Sequence, residues 1–190
     1  MKRLFAVASL ALLLAAPAIA AEGQMGGPGF RLVPSPFSPL ISTVISPVEA
    51  TPTLGLRHWM NAKVGVDFAL GYTNLNIDPG TTQFSGFVFD VGLPLTVKRV
   101  SESVNFIFRP GLRYSTIEDE SSTPGVKWTG MQFLGELEVE WMVTERLSVS
   151  AAHGIAYSTL SDDGDPKTEL SSFGTTGSTF ANLGFHVYLW

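Results

Sequence analysis

Residues 63–73 read KVGVDFALGYT. Val64, Val66, Phe68, Leu70 and Tyr72 fall on one side of an extended chain, and Gly65, Asp67, Ala69, Gly71 and Thr73 on the other. A period of two marks a β-strand whose two faces meet different surroundings. It does not say which face is inside. A soluble barrel would turn the apolar face inward; an outer-membrane barrel would turn it to lipid and fill its lumen with the small and charged face.

The pattern recurs along the chain. Residues 54–60 (LGLRHWM) lead into a tight turn at 61–63. In FSGFVFDVGLPLTV (84–97), Phe87, Phe89, Val91, Leu93 and Leu95 oppose Gly86, Val88, Asp90, Gly92 and Pro94. VNFIFRPGLRYS (104–115) sets Phe106, Phe108, Leu112 and Tyr114 against Asn105, Arg109, Gly111 and Arg113. GMQFLGELEVEWMV (130–143) sets Phe133, Leu137, Val139 and Trp141 against Gln132, Glu136, Glu138 and Glu140. LSVSAAHGIAYS (147–158) and TFANLGFHVYLW (179–190) complete seven strands. Several are long enough for a tilted membrane-spanning strand, which needs about 9 to 11 residues. An even count requires one more, within 36–53, where SPLISTVIS (38–46) is the candidate; Pro34, Pro36 and Pro39 crowd its start.

Short connections at 61–63, 98–103 and 144–146 alternate with longer polar ones at 78–83, 118–127 and 161–177. Outer-membrane barrels have short periplasmic turns and longer external loops. The polar faces collect Arg57, Asp67, Asp90, Arg109, Arg113, Glu136, Glu138 and Glu140, interleaved with Gly, Ala and Ser. An eight-stranded interior is just wide enough for side chains to fill. It has no room for all the Phe and Leu of the opposite faces, so the apolar face is read as lipid-facing and the charges as a lumen cluster of paired groups. Arg109 and Arg113 are expected to meet Glu136, Glu138 and Glu140 from the neighbouring strand. Tyr72, Tyr114, Tyr157 and Trp141 suit the aromatic girdles at the two membrane interfaces.

The chain begins MKRLFAVASLALLLAAPAIA. A basic start, an apolar run from Leu4 to Ala16 and the small residues Ala18 and Ala20 form the layout of a secretory leader. The reading is therefore a leader over 1–20 and one barrel domain over 21–190. The formal charge is −5, and loss of Lys2 and Arg3 makes the mature chain two charges more negative. That balance argues against a nucleic-acid partner. Cysteine is absent, which excludes disulfide frameworks, thiolate metal sites and cysteine nucleophiles.

The leader, the alternating strands, the short and long connections and the terminal FHVYLW together resemble the small eight-stranded outer-membrane β-barrel proteins of Gram-negative bacteria. The resemblance is architectural and spans nearly the whole mature chain. It implies an all-β, antiparallel, up-and-down transmembrane barrel, an outer-membrane location, and outer-membrane lipid as the surrounding partner. It also implies that Tyr188 and Trp190 act as the C-terminal signal read by the barrel-assembly machinery. Leu183, Phe185, Val187 and Leu189 lie in the opposite phase to those two residues.

Some members of that class are enzymes acting on lipid A with a His, a Ser and a carboxylate. Of His58, His153 and His186, only His153 has serines nearby (Ser150, Ser158), at a spacing that fits no nucleophilic motif. SDDGDPKTE (161–169) lacks the ligand spacing of a calcium loop. No catalytic, metal or cofactor residue is assigned. The expected function is a non-enzymatic outer-membrane barrel with a closed, charge-filled lumen and external loops for surface interaction or envelope integrity. A lipid-modifying enzyme and an exported lipocalin-like ligand-binding barrel are the alternatives.

Overall fold

The computed structural model describes residues 26–34, 50–78, 82–119, 125–164, 166–176 and 182–189. They form ten strands: β1 (Gly26–Pro34), β2 (Ala50–Trp59), β3 (Gly65–Asp78), β4 (Thr82–Gly92), β5 (Leu95–Ser101), β6 (Val104–Asp119), β7 (Val126–Met142), β8 (Leu147–Asp162), β9 (Glu169–Thr175) and β10 (Asn182–Val187). Each strand pairs antiparallel with its neighbours, and β10 pairs with both β8 and β1, which joins the sheet into a ring. The molecule is thus an all-β, up-and-down barrel.

Two walls of the ring are split. β4 pairs with β6 over Gly111–Asp119, and β5 pairs with the same strand over Val104–Phe108. The break falls at Leu93–Pro94, where proline has no N–H for the ladder; Leu93 N–H donates instead to the Pro110 carbonyl at 2.9 Å. The expected single strand over 84–97 is therefore two, and β5 runs on to Ser101, leaving a turn of Glu102 and Ser103. β9 and β10 share β8 in the same way, against Ile155–Ser161 and Leu147–Ala152. Counting each split wall once gives eight walls.

β9 occupies seven residues of the stretch read as a long loop over 161–177. Its sequence ELSSFGT has no apolar alternation to signal a strand, and all but one of its residues are exposed. The connection expected over 78–83 is also shortened, because β3 continues to Asp78 and β4 begins at Thr82. The wall before β2 is β1, at GGPGFRLVP, upstream of the expected candidate; 38–46, like the leader at 1–20 and Trp190, lies outside the described residues. Gly and Pro deprive β1 of a period-two signature, yet it pairs with β2 from Gly26↔His58 to Pro34↔Ala50.

The barrel has a turn end and a loop end. Tight turns after β2, β5 and β7 define the first. The Asn61 carboxamide oxygen accepts the backbone N–H of Lys63 (2.9 Å) and Val64 (3.0 Å), and Thr144 Oγ1 does the same for Arg146 and Leu147. Such side-chain-to-backbone bonds hold a reversal in few residues. At the loop end β3, β6 and β8 run on to Asp78, Asp119 and Asp162, beyond Tyr72, Tyr114 and Tyr157.

The faces sort by period. Phe106, Phe108, Phe133, Leu137, Trp141 and Ile155 are exposed, while Arg57, Asp90, Arg109, Arg113, Glu138 and Glu140 are each 1% exposed. The apolar belt faces outward and the charges face inward. This inverts a soluble domain, in which a polar surface surrounds an apolar core.

Candidate functional site

Inward-facing side chains build three layers along the barrel axis. At the loop end Phe84, Ile117 and Leu160 pack together with Trp128 against them. At the turn end Trp59, Ile107 and Tyr188 do the same with Met142. All eight charged residues expected in the lumen are buried; Glu140 lies level with the turn-end layer, bonded to Tyr188.

Strand register explains the first set of contacts. Arg57 lies opposite Asp67, Arg109 opposite Glu136, Arg113 opposite both Asp90 and Gln132. Directly opposed residues on one face of an antiparallel pair are within side-chain reach. Arg57 Nη2 meets Asp67 Oδ2 at 2.8 Å, Arg109 Nη1 meets Glu136 Oε2 at 3.0 Å, and Arg113 Nε meets Asp90 Oδ2 at 3.0 Å. Arg113 Nη1 also donates to Gln132 Oε1, and Gln132 Nε2 to Ser158 Oγ.

Barrel closure supplies the second set. Arg57 of β2 crosses the lumen to Glu138 of β7, with Nη1–Oε1 at 2.7 Å. Arg109 of β6 reaches Asp67 of β3 at 2.6 Å and also pairs with Asp90 of β4. The result is a ladder of alternating charge: Glu138, Arg57, Asp67, Arg109, Asp90, Arg113. Of the expected pairs between the two β6 arginines and the three β7 glutamates, Arg109–Glu136 forms. Arg113 turns to Asp90 because Gln132, not a glutamate, is opposite it on β7; Glu138 stands opposite Ile107 and finds its cation across the barrel.

Glycine makes the ladder possible at Gly92. A Cβ there would fall onto the Arg109 guanidinium, so only a residue without a side chain lets that arginine lie flat against β4.

Among the described side chains the cluster holds three guanidinium groups and five carboxylates, and Glu140 sits towards the turn end. Glu140 Oε1 accepts from Tyr188 Oη (2.7 Å) and Ser148 Oγ (2.8 Å), and both Arg57 and His186 stand off at 3.7 Å. Trp59 Nε1 donates to Tyr188 Oη at 3.3 Å. Residues from the sequence reading are thus joined here by three that it did not single out for the lumen: Ser148, His186 and Trp59. The signal for two of them was present as register, since Ser148 lies opposite His186 in the β8–β10 pair.

Tyr188 therefore points into the lumen, 2% exposed, while Leu183, Phe185 and Leu189 face out. The described part of the last strand keeps a regular alternation, with His186 and Tyr188 on the inner side.

Ser148, His186 and Glu140 do not form a nucleophilic relay. In such a relay histidine stands between hydroxyl and acid. Here Ser148 Oγ donates straight to the carboxylate, while His186 Nδ1 is 3.5 Å from the hydroxyl. His153 is exposed on the outer face, whereas Ser150 and Ser158 point inward. Among the described residues no group of three or more His, Cys, Asp or Glu could hold a metal ion.

A cavity of about 540 Å³ opens at the turn end, floored by Trp59, Glu140 and Tyr188 and walled by Arg99, Asn105 and Met142. The turns after β2, β5 and β7 form its rim.

Comparison with solved structures finds the same architecture. The chain is similar to a major outer membrane protein from Thermus thermophilus, with a TM-score of 0.52 at 9% identity, covering 89% of this chain and 100% of that one. It is also similar to Ail, the attachment invasion locus protein of Yersinia pestis, with a TM-score of 0.47 at 14% identity over the same shares. No family model matches the chain. No curated protein matches it in sequence. At 9% identity the likeness to the Thermus protein shows the fold alone, an antiparallel barrel of the kind found in outer membranes.

Proposed function

We propose that the protein is a non-enzymatic outer-membrane barrel that conducts no ions and works through its outer surface. The apolar outer belt supports the location, since such a face is stable against lipid and not against water. The turn end faces the periplasm and the loop end the exterior, in keeping with the general asymmetry of these barrels. The loops and strand extensions of the loop end serve surface interaction or envelope integrity. Tyr188 and Trp190, at the end of the chain, serve as the signal for assembly.

The observation that carries the closed lumen is the double span of the ladder: Arg57 and Arg109 each hold carboxylates on strands from different sides of the barrel. Ions would need the space these side chains fill, and the pairs are too tightly bonded to step aside without exposing buried charge. The apolar layer at the loop end adds a barrier to wetting. Planar-bilayer recording of the purified protein is expected to show no stable unitary current. Large, stable conductance steps would overturn this reading.

A further inference from the structure

The turn-end cavity has the features of a binding site. Glu140 is 1% exposed, yet it lines a space of about 540 Å³. That volume is within the range of pockets that hold small organic ligands, about 300 to 1,000 Å³. All of its close contacts, from Tyr188, Ser148, Arg57 and His186, fall on Oε1. Oε2 has no partner among the described residues, on a side chain that fronts the cavity.

The surrounding charge sets the sign of the missing partner. The nearest cation, Arg57, is already committed to Asp67 and Glu138 and stays 3.7 Å from Glu140. Among the described lumen carboxylates, Glu140 is the one whose nearest guanidinium stands furthest off, at 3.7 Å. Of the charged residues that line the cavity beside Glu140, Glu102 and Glu145 are acidic and Arg99 is basic. A buried carboxylate with a vacant oxygen is stabilised by a cationic hydrogen-bond donor.

The other walls set the kind of cation. Trp59, Tyr188, Met142 and Ala62 present apolar surface, and aromatic faces also attract ammonium groups. Asn105 and Ser103 add neutral hydrogen-bonding groups. A hard metal ion needs several oxygen ligands, and only one inner carboxylate is available. We infer that this cavity binds a small organic ammonium compound, its charged head on Glu140 Oε2 and its apolar body against Trp59 and Met142.

The test is a titration of the refolded full-length mature protein in an uncharged maltoside detergent, followed by NMR at the Trp59 indole N–H. The probe is 2-phenylethylammonium, and 2-phenylethanol is its uncharged counterpart. Saturable shifts with the ammonium and roughly tenfold weaker binding of the alcohol are expected, as for a charge-assisted bond. Glu140→Gln keeps an acceptor for Tyr188 and Ser148 and should weaken the ammonium by about tenfold or more. Ala62→Trp, at an exposed turn position, should block the cavity without touching the lumen, and it decides the matter if the Gln variant does not refold. Glu118→Gln at the loop end should bind like the parent. No shift at Trp59, equal binding of the alcohol, unchanged affinity in Ala62→Trp, or displacement of the probe by equimolar Mg²⁺ would each overturn the assignment.

Discussion

The two ends of the lumen are built from the same ingredients and finish differently. At the loop end the last charged group, Arg113, is bonded to Asp90 and Gln132, and the layer above it is wholly hydrocarbon and indole. At the turn end the last charged group is Glu140, held by two hydroxyls and fronting a cavity. One end is packed shut beneath an apolar layer, and the other keeps an acid beside open space. The difference teaches that charge balance in a barrel is set locally, rung by rung. Interior charges are tolerated where register supplies a partner of opposite sign, and the rung that lacks one marks the place where the molecule can accept something from outside.

The largest expected effect comes from the centre of the ladder, which both ends lean on. Arg109→Ala removes the cation shared by Asp67, Asp90 and Glu136, leaving Arg57 on the first and Arg113 on the second, and should cost about 3–5 kcal/mol, as loss of one partner of a buried pair does. Adding Glu136→Ala should recover part of that loss, so the double change costs less than the sum of the singles. Urea unfolding in lipid vesicles measures both. Additive losses would mean that the two residues are not energetically a pair. At the turn end Glu140→Gln should cost far less, because its partners are neutral hydroxyls that a carboxamide oxygen also accepts.

A neighbouring residue tests the faces. Phe108 precedes Arg109 and points to the opposite side, 38% exposed. Phe108→Arg should reduce stability by about 2–4 kcal/mol near the bilayer midplane. The same chemical group is thus required at one position and excluded from the next. Equal refolding yield and an unchanged unfolding midpoint for Phe108→Arg would show that the outer belt does not meet lipid.

The smallest effect lies beyond the lumen at the loop end. Asp162 Oδ1 accepts the backbone N–H of Thr168 at 2.7 Å and of Gly164 at 3.2 Å. The Thr168 N–H chiefly holds this carboxyl below its ordinary value of 3.8, with Gly164 and Lys167 assisting. A depressed acid stabilises the folded turn at every pH above that ordinary value and loses the contribution as pH falls through the lower, folded value. Amide exchange at Thr168 and Gly164, corrected for its intrinsic pH dependence, should therefore show weaker protection only in strong acid. Asp162→Asn should abolish the pH dependence and leave the barrel midpoint unchanged.

How far these features were legible in the sequence follows from the range of the forces behind them. Alternation is local, so the strands at 63–73, 104–115 and 130–143 and the inward direction of all eight charges could be read directly. Strand register pairs Arg109 with Glu136 and Arg57 with Asp67. The cross-lumen bonds Arg57–Glu138 and Arg109–Asp67 depend on how the sheet curls shut, which no local pattern encodes. β1 escaped notice because Gly26, Gly27, Pro28 and Gly29 carry no amphipathic signal; their strand is held by its neighbours rather than by propensity. β9 escaped because ELSSFGT carries no apolar alternation, so its strand too is held by pairing with its neighbour β8. Glu140's open oxygen was hidden because a vacancy belongs to no single residue.

The pairing of β1 with β10 carries a consequence for how the molecule comes into being. Gly29 meets His186 and Arg31 meets Gly184, contacts that span almost the entire chain. A ribosome or translocase delivers β1 first and must finish β10 before the two can meet. Every intermediate therefore has two raw sheet edges, which invite pairing with other chains until the last strand arrives. Because loop closure costs entropy that rises only as the logarithm of length, the seam could be moved. A circular permutant that joins the two ends by a flexible linker and opens at the Glu102–Ser103 turn would start and end on neighbouring strands again. Its barrel would be the same, with the birth order of its walls rearranged.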